Sequence, residues 1–145
     1  MSILRKGDKV GNKKQAMGNI FGQTKINVRK AEQIINDKKI ADFLPIAVRG
    51  KDGGWIRFKK DKKFINIPDI DEKGITQIAV NGPRTSENRK NTEYAVFVEK
   101  GIKQGTTGAQ YEFFGICSRT VSKEDRYSTY FKLLKTEFET DDWKE

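Results

Sequence analysis

The chain has 145 residues, of which 35% are hydrophobic and 34% charged, and its formal net charge is +9. This length suits one domain with a modest core and a strongly charged surface. Histidine is absent and Cys117 is the only cysteine, which excludes an intrachain disulfide, a zinc site built on several cysteines and any nucleophile–histidine pair. No stretch approaches the ~20 apolar residues of a membrane span, and no signal-peptide core is present. The sequence therefore predicts a soluble cytoplasmic protein with no membrane partner.

The positive charge is concentrated in the first part of the chain. Residues 1–63 contain 17 of the 29 basic side chains and 6 of the 20 acidic ones, a surplus of 11, whereas the remaining residues contain 12 and 14. Such asymmetry is typical of a basic surface that attracts anionic partners. Nucleic acid is the first class of partner that it predicts, and an acidic protein surface is the second.

Residues 1–23 are rich in Gly and Lys and show no sustained hydrophobic period. They are interpreted as a basic, flexible arm that precedes a single α+β domain over residues 24–138. Residues 27–42 show the clearest helical spacing, because Asn27 can cap a helix and five apolar residues follow near one stripe. The stripe comprises Val28, Ala31, Ile34, Ile35 and Ala41.

The stretch over residues 49–63, RGKDGGWIRFKKDKK, is the most distinctive part of the sequence, with seven Lys or Arg and two Asp. Asp52, Gly53 and Gly54 supply the positive-φ positions of a tight turn, which predicts a β-hairpin. On its second strand Trp55 and Arg57 share one face, since strand side chains alternate. Such a ribbon suits a polyanion, with cations on phosphates and the indole stacked on a base. The alternative is a solvated basic hairpin whose Trp and Phe belong to the core.

From Pro45 onward the pattern favours strands separated by Gly, Asp, Asn and Pro, which predicts a curved, mostly antiparallel sheet or a small β-barrel with one packed helix. The last apolar run also fits a helix, because residues 122–125 resemble a capping box; its dense Tyr, Thr and Phe favour a strand. The candidate strands are 45–49, 54–60, 63–67, 75–80, 93–100, 110–118 and 127–136.

Two further segments carry candidate functions. The loop over residues 81–91 places Arg84 and Arg89 beside Thr85 and Ser86, donors that serve both phosphates and base edges. A plain polar connector has the same composition. Residues 139–145 form an acidic tail with one aromatic; a frayed end is its default interpretation, and docking on a partner or on the protein's own basic groove is the functional one.

Little in the sequence indicates catalysis. Cys117 lies in the apolar run FFGIC, which favours a buried, unreactive thiol. Asp69 and Asp71, followed by Lys73, superficially match a metal-dependent nuclease pattern, but that chemistry needs its two carboxylates on separate segments that reach one metal. The sequence predicts a protein that is not an enzyme.

From Arg84 onward the order of motifs resembles the C-terminal domain of helicase-fused, modification-dependent restriction enzymes. The matching pieces are PRTSENRKN, YAVFVEKG, YEFFGIC and YFKLLKT, and they cover about fifty residues. The resemblance implies a small β-barrel that reads modified bases, with Arg84, Thr85 and Ser86 near the recognition surface. Restriction activity does not carry over, because no helicase or nuclease domain accompanies these motifs.

Together these features predict a non-catalytic domain that binds single-stranded or modified duplex DNA, without cofactor or metal. One alternative is a small inhibitor, of phage or mobile-element type, that binds an acidic protein surface. The others are a pocket that sequesters a phosphorylated nucleotide and a metal-dependent nuclease. The predicted DNA contacts are Arg49, Lys51, Trp55, Arg57, Lys59, Lys60, Lys63, Arg84, Thr85, Ser86 and Arg89.

Overall fold

The computed structural model describes residues 2–28, 30–44, 48–49, 55–56, 59–60, 63–64, 69–78, 91–99, 109–121 and 128–144. The elements in chain order are β1 (Ile3–Arg5), β2 (Lys9–Gly11), α1 (Lys13–Phe21), β3 (Glu32–Asn36), β4 (Lys39–Leu44), β5 (Val48–Arg49), β6 (Trp55–Ile56), β7 (Lys59–Lys60), β8 (Lys63–Phe64), β9 (Asp69–Ile70), β10 (Gly74–Ile78), β11 (Glu93–Glu99), β12 (Tyr111–Val121), β13 (Ser128–Lys135), β14 (Glu137–Glu139) and a 3-10 helix (Thr140–Trp143).

One large sheet dominates the described residues, with the strand order β3-β4-β11-β12-β13-β10-β9 and β2 paired to one end of β12. β4 and β11 run parallel, and the other neighbours in this sheet are antiparallel. The predicted α+β class and the curved, mostly antiparallel sheet are confirmed. The sheet is open in the described part of the chain rather than closed into the barrel that was the alternative.

Two bulges lie next to each other on the two sides of β12. Phe114 of β12 is the extra residue opposite Val96 and Phe97 of β11, and Leu134 of β13 is the extra residue opposite Ile116 and Cys117. Such bulges bend a strand and increase its twist. Gly115 stands at this place with φ 155°, and a Cβ here would lie 2.7 Å from the carbonyl oxygen of Lys135. Glycine is therefore required where β13 crosses the bulged strand.

The N-terminal residues belong to the fold, so the interpretation of residues 1–23 as a flexible arm is wrong. Asn12 caps α1 and forms a reciprocal capping box with Gln15, which satisfies otherwise unpaired N–H groups of the first turn. Gly22 ends the helix in the left-handed conformation, at φ 69°. One face of α1 is buried against the sheet through Ala16, Met17, Ile20 and Phe21.

The helix predicted over residues 27–42 is also wrong, since these residues form a turn and the β3–β4 hairpin. Asn36 accepts a hydrogen bond from the Lys38 amide through its side chain, at 3.0 Å, a geometry that reverses the chain. Ile35 is buried while Ile34 is exposed, which is the alternation of a strand rather than a helical stripe. Pairing of β4 with the distant β11 outweighs the local helical pattern.

Hydrophobic side chains are buried in two clusters. The cluster on the α1 side, called here the aromatic core, comprises Ala16, Met17, Ile20, Phe21, Ile35, Ala41, Phe43, Ala95, Phe97, Tyr111, Phe113, Ile116, Phe138 and Trp143. The other, called here the second core, comprises Ile40, Leu44, Ile75, Tyr94, Val96, Val98, Phe114, Cys117 and Phe131. Neighbouring residues of β4 and β11 enter opposite clusters, because side chains alternate along a strand.

The acidic C-terminal segment closes the aromatic core instead of fraying. Trp143 is 3% exposed, and its ring lies 5.3 Å from that of Phe138 and 5.8 Å from that of Phe21. Lys39 donates to the Asp142 carbonyl at 3.0 Å, with its ammonium 5.2 Å from the Trp143 ring centroid. The segment is thus an ordered part of the fold. No helix among the described residues has both the length and the apolar character needed to cross a bilayer.

Candidate nucleic-acid interface

The hairpin predicted around Gly53 is confirmed by its backbone pairing. β5 and β6 are antiparallel, with Val48 opposite Ile56 and Arg49 opposite Trp55. The register therefore brings the predicted stacking residue and one predicted phosphate-binding residue to directly paired positions. Directly paired positions are the closest neighbours across an antiparallel ribbon.

A second short hairpin is formed by parts of the predicted strands 54–60 and 63–67, and residues 57–58 between β6 and β7 lie outside the described residues. β7 pairs with β8, placing Lys59 opposite Phe64 and Lys60 opposite Lys63. Two successive two-stranded ribbons therefore present five of the predicted contact residues at paired positions: Arg49, Trp55, Lys59, Lys60 and Lys63. The other six, Lys51, Arg57, Arg84, Thr85, Ser86 and Arg89, lie outside the described residues.

The main sheet also exposes a polar face that was not predicted as a site. Two rows of paired residues cross β10, β13 and β12: Thr76, Tyr130 and Thr120 form one row, and Gly74, Lys132 and Ser118 the other. Tyr130 is 39% exposed, Lys132 is exposed, and Leu134 further along β13 is 52% exposed. These seven residues are called here the outer strip.

The tip of the Tyr130 ring lies over Gly74 of β10. A Cβ built on Gly74 would lie 2.8 Å from the Tyr130 hydroxyl oxygen and 2.9 Å from Cζ. The absence of a side chain at Gly74 is therefore what lets the phenol ring rest on β10. The alternation in STYFKLLK, with Tyr130, Lys132 and Leu134 on one face, is the sequence signal for this surface.

A buried ion pair, also not predicted, lies beside the second core. The Arg119 guanidinium donates a hydrogen bond to the Glu32 carboxylate, reaching from β12 across two intervening strands to β3. The Arg119 side chain is 0% exposed and that of Glu32 25%, and the guanidinium lies 4.9 Å from the Tyr94 ring centroid. Arg119 is thus engaged inside the protein, where it stabilises the sheet and is withheld from phosphates.

Lys13 is a second cation that the fold engages. Its ammonium donates to the Val28 carbonyl at 2.8 Å and lies 5.8 Å from the Phe43 ring centroid. Burial lowers the pKa of Lys13, and the carboxylates of Asp42 and Glu99 oppose this effect. This hydrogen bond connects the start of α1 to the segment before β3.

The buried thiol predicted at Cys117 is confirmed, since the residue is 0% exposed. Burial raises the pKa of Cys117 to about 12, the Asp42 carboxylate adds to the rise, and Lys6 opposes it. A nucleophilic cysteine needs a thiolate near neutral pH. Cys117 stays protonated there and acts as a small core residue.

The two aspartates of the nuclease-like pattern lie in β9 and in the turn that follows it. Asp69 is in β9, paired with Thr76, and Asp71 begins the turn into β10. One oxygen of Asp71 accepts hydrogen bonds from the Lys73 and Gly74 amides at 2.7 and 3.0 Å, so this carboxylate shapes the turn. Over the described ranges, no group of three or more Cys, Asp or Glu could hold a metal ion.

No family model, curated protein or solved structure matches this chain. The resemblance of the C-terminal half to a modification-reading restriction-enzyme domain therefore stays a prediction, although the strands of YAVFVEKG, YEFFGIC and YFKLLKT are present as β11, β12 and β13.

Proposed function

We propose that this protein is a non-catalytic DNA-binding domain whose basic hairpins, β5–β6 and β7–β8, contact the phosphate backbone. The observation that carries the proposal is the register of β7–β8, in which Lys60 is paired directly with Lys63. Like charges at directly paired positions destabilise an antiparallel ribbon. A bound polyanion offsets this repulsion, and phosphates are the anions that such lysines attract most generally.

The distribution of charge supports the same conclusion. The surplus of 11 positive charges in residues 1–63 includes both hairpins. Lys13 is bound within the protein, since it donates a hydrogen bond to the Val28 carbonyl. The two hairpins, in contrast, follow β4 as two-stranded ribbons that are not part of the main sheet. Arg49 and Trp55 at paired positions combine a phosphate-binding group with a base-stacking group.

The test is a binding titration against single-stranded, duplex and base-modified duplex DNA at several salt concentrations. Neutralising about 4–6 phosphates gives a slope of log affinity against log salt of roughly −3 to −5. The double variant Lys60→Gln/Lys63→Gln is expected to reduce that slope by roughly 1.4–1.8, since each lost phosphate contact removes about 0.7–0.9. Trp55→Ala is expected to weaken single-strand binding by about 1–3 kcal/mol through lost stacking.

The matched control is Lys30→Gln/Lys38→Gln, which removes the same charge from the turn before β3 and from the β3–β4 turn. It is expected to leave the salt slope close to that of the wild type. If the wild type binds none of the DNAs at low salt but binds an acidic protein surface, the proposal is wrong and the inhibitor interpretation replaces it. Saturable binding of a mononucleotide with equal affinity to an oligonucleotide favours the nucleotide pocket instead.

A further inference from the structure

We propose that the outer edge of β3 is a docking site for an extended segment of a partner protein, which joins the main sheet as a further strand and carries acidic residues beside Lys30. This edge is not part of the basic hairpins. A partner of this kind therefore binds the protein whether or not the hairpins bind DNA.

The backbone of β3 has hydrogen-bonding groups that its neighbour does not use. β3 is an end strand of the main sheet, and among the described residues it pairs only with β4. The Phe43 amide donates to the Ala31 carbonyl at 2.9 Å, which identifies Ala31 as a residue whose backbone faces β4. Because successive residues of an antiparallel strand face opposite sides, the N–H and C=O groups of Glu32 and Ile34 point away from β4. Such a row of donors and acceptors is a template for a further strand.

The side chains of β3 do not prevent this pairing. Ile34 is 57% exposed, and the strand contains no proline. Its bulge lies at the turn end, between Ile34 and Asn36. Edge strands are often protected by an inward charge that an added strand would bury. The Glu32 carboxylate is already paired with the Arg119 guanidinium, so an added strand leaves no unpaired charge there.

The segment that leads into β3 supplies positive charge. Residues 9–31 contain six Lys or Arg and no Asp or Glu. The end of this segment is held beside the strand by Gln33, whose side-chain amide donates to the carbonyls of Asn27 and Lys30 at 2.8 and 2.9 Å. The Lys30 side chain is exposed. Carboxylates of a bound segment are therefore attracted to this end of the edge.

The other places where a strand could be added lack this charge. In the β3–β4 turn Asp37 accompanies Lys38, and Lys39 is bound to the Asp142 carbonyl. β9, at the opposite edge of the main sheet, has only two residues, and residues 69–73 contain three acidic side chains and one basic one. An acidic segment is therefore directed to the start of β3.

The combination of features selects a peptide as the occupant. The phosphates of a nucleic acid attract lysines but donate no hydrogen bond to the outward C=O groups and gain nothing from Ile34. An extended peptide bonds to these groups through its own main chain, packs an apolar side chain against Ile34 and places carboxylates beside Lys30. A second copy of this chain is disfavoured, because each copy has a net charge of +9.

The test uses a displayed library of random eight-residue peptides, selected against the full chain. The selected peptides are expected to alternate β-branched or aromatic residues with polar ones and to carry Asp or Glu at one end. Each backbone N–H of the tightest peptide is then methylated in turn. Methylation should weaken binding about 2- to 10-fold at every second position, the value of one net hydrogen bond, and should have little effect at the positions between.

Two variants and a matched control locate the peptide on β3. Ile34→Pro removes an outward N–H that forms no bond to β4, a place where edge strands tolerate proline, and should lower the affinity for the peptide at least about fivefold. Lys30→Gln should lower it by up to about fivefold and weaken its salt dependence. Lys73→Gln, which removes an equal charge beside the opposite edge, should leave the affinity unchanged.

The outcomes separate the docking site from the proposed function. A methylation scan without alternation, or equal affinity of the peptide for the wild type and a folded Ile34→Pro, would show that the docking site is wrong. A thermal melt establishes whether Ile34→Pro is folded, and the methylation scan needs no variant. DNA binding by the hairpins should be the same in Ile34→Pro and in the wild type. If Lys30→Gln weakens DNA binding but not peptide binding, this surface belongs to nucleic acid and the proposed docking site is wrong.

Discussion

The two buried faces of the sheet are held together in different ways. The aromatic core joins rings from distant parts of the chain, among them Phe21 of α1, Phe97 of β11 and Trp143 of the C-terminal 3-10 helix. The second core is built largely from Ile, Val and Leu, together with Cys117, Tyr94 and two Phe. Beside it lies the buried ion pair of Arg119 with Glu32.

Because of this difference, we expect the stability of the two faces to respond to different substitutions. Stability on the aromatic side depends on close packing of rings, which is sensitive to lost volume. Stability on the other side depends also on keeping a buried cation paired, which is sensitive to lost charge. Single substitutions can therefore act on one face at a time.

The largest effect is expected from Phe97→Ala in the aromatic core. The Phe97 ring lies 4.7 Å from that of Phe43, 5.4 Å from that of Phe113 and 6.2 Å from that of Phe21. Deleting it removes all three ring contacts and leaves a cavity, so the free energy of unfolding should fall by about 3–5 kcal/mol. Urea denaturation followed by circular dichroism measures this change.

Phe97→Leu is the control for that measurement, since it retains most of the apolar volume and should cost markedly less than Phe97→Ala. A loss below about 1 kcal/mol for Phe97→Ala would show that the rings do not form a close-packed unit.

The next effect is expected from Glu32→Ala, which removes the carboxylate bound by Arg119. Because the Arg119 side chain is 0% exposed, its charge cannot be solvated in place, and the free energy of unfolding should fall by about 3 kcal/mol. The chain offers a matched exposed pair, Arg5 with Glu137 at 3.2 Å, whose side chains are 63% and 55% exposed. Glu137→Ala should therefore cost only about 0.2–1 kcal/mol.

The same denaturation experiment checks both variants. Equal losses for Glu32→Ala and Glu137→Ala would contradict a special role for the buried pair. Replacing both members, as in Glu32→Met/Arg119→Met, should recover part of the stability lost in Glu32→Ala, because the buried guanidinium charge is then removed together with the carboxylate.

The last effect is a change in the pH dependence of stability at alkaline pH, expected from Cys117→Ala. The pKa of Cys117 is raised in the fold from 9.0 to about 12, so the folded state holds a proton that the unfolded state loses. Stability from this group is complete below pH 9 and is lost as pH rises toward 12, by at most about 1.4 kcal/mol per pH unit. Tyr111 in the aromatic core, with its pKa raised from 10.0 to about 12, acts in the same direction from pH 10.

Measuring the free energy of unfolding from pH 8 to 11.5 separates the two groups. The wild type should begin to lose stability near pH 9, and Cys117→Ala only near pH 10, where Tyr111 begins to titrate. Lys13 opposes both, since its lowered pKa makes the folded state bind fewer protons than the unfolded state as pH rises. An identical onset in wild type and Cys117→Ala would show that the thiol ionises as easily in the fold as in the unfolded chain.

Much of the sheet could be predicted from the sequence. The alternation of residues around Ala95, Phe113 and Phe131 predicted β11, β12 and β13, and the preference for a strand over a helix near Tyr130 is confirmed. Asp52, Gly53 and Gly54 predicted the β5–β6 hairpin, because positive-φ turn chemistry is local. The burial of the terminal segments could not be predicted. Phe21 and Trp143 are isolated large apolar residues in polar sequence, and both are buried in the aromatic core by residues far away in the chain.

Of the candidate site, the sequence predicted the basic ribbon but neither the outer strip nor the engaged cations. Which lysines and arginines stay available is decided by packing: Lys13 binds a backbone carbonyl and Arg119 binds Glu32, although their sequence surroundings resemble those of exposed cations. The position of the Tyr130 side chain needs Gly74 from another strand, and that pairing cannot be predicted from either segment alone.

The amino-acid sequence alone determined the excess of positive charge, the turn chemistry and the alternating strands, because each depends on composition or on neighbours a few residues apart. Only the tertiary structure decided that residues 32–44 form two strands rather than a helix, that both ends of the chain enter the core, and which faces remain open. Those outcomes depend on partners far away in sequence, such as β11 for β4 and Phe21 for Trp143. Long-range pairing and burial outweigh local propensity whenever the two conflict.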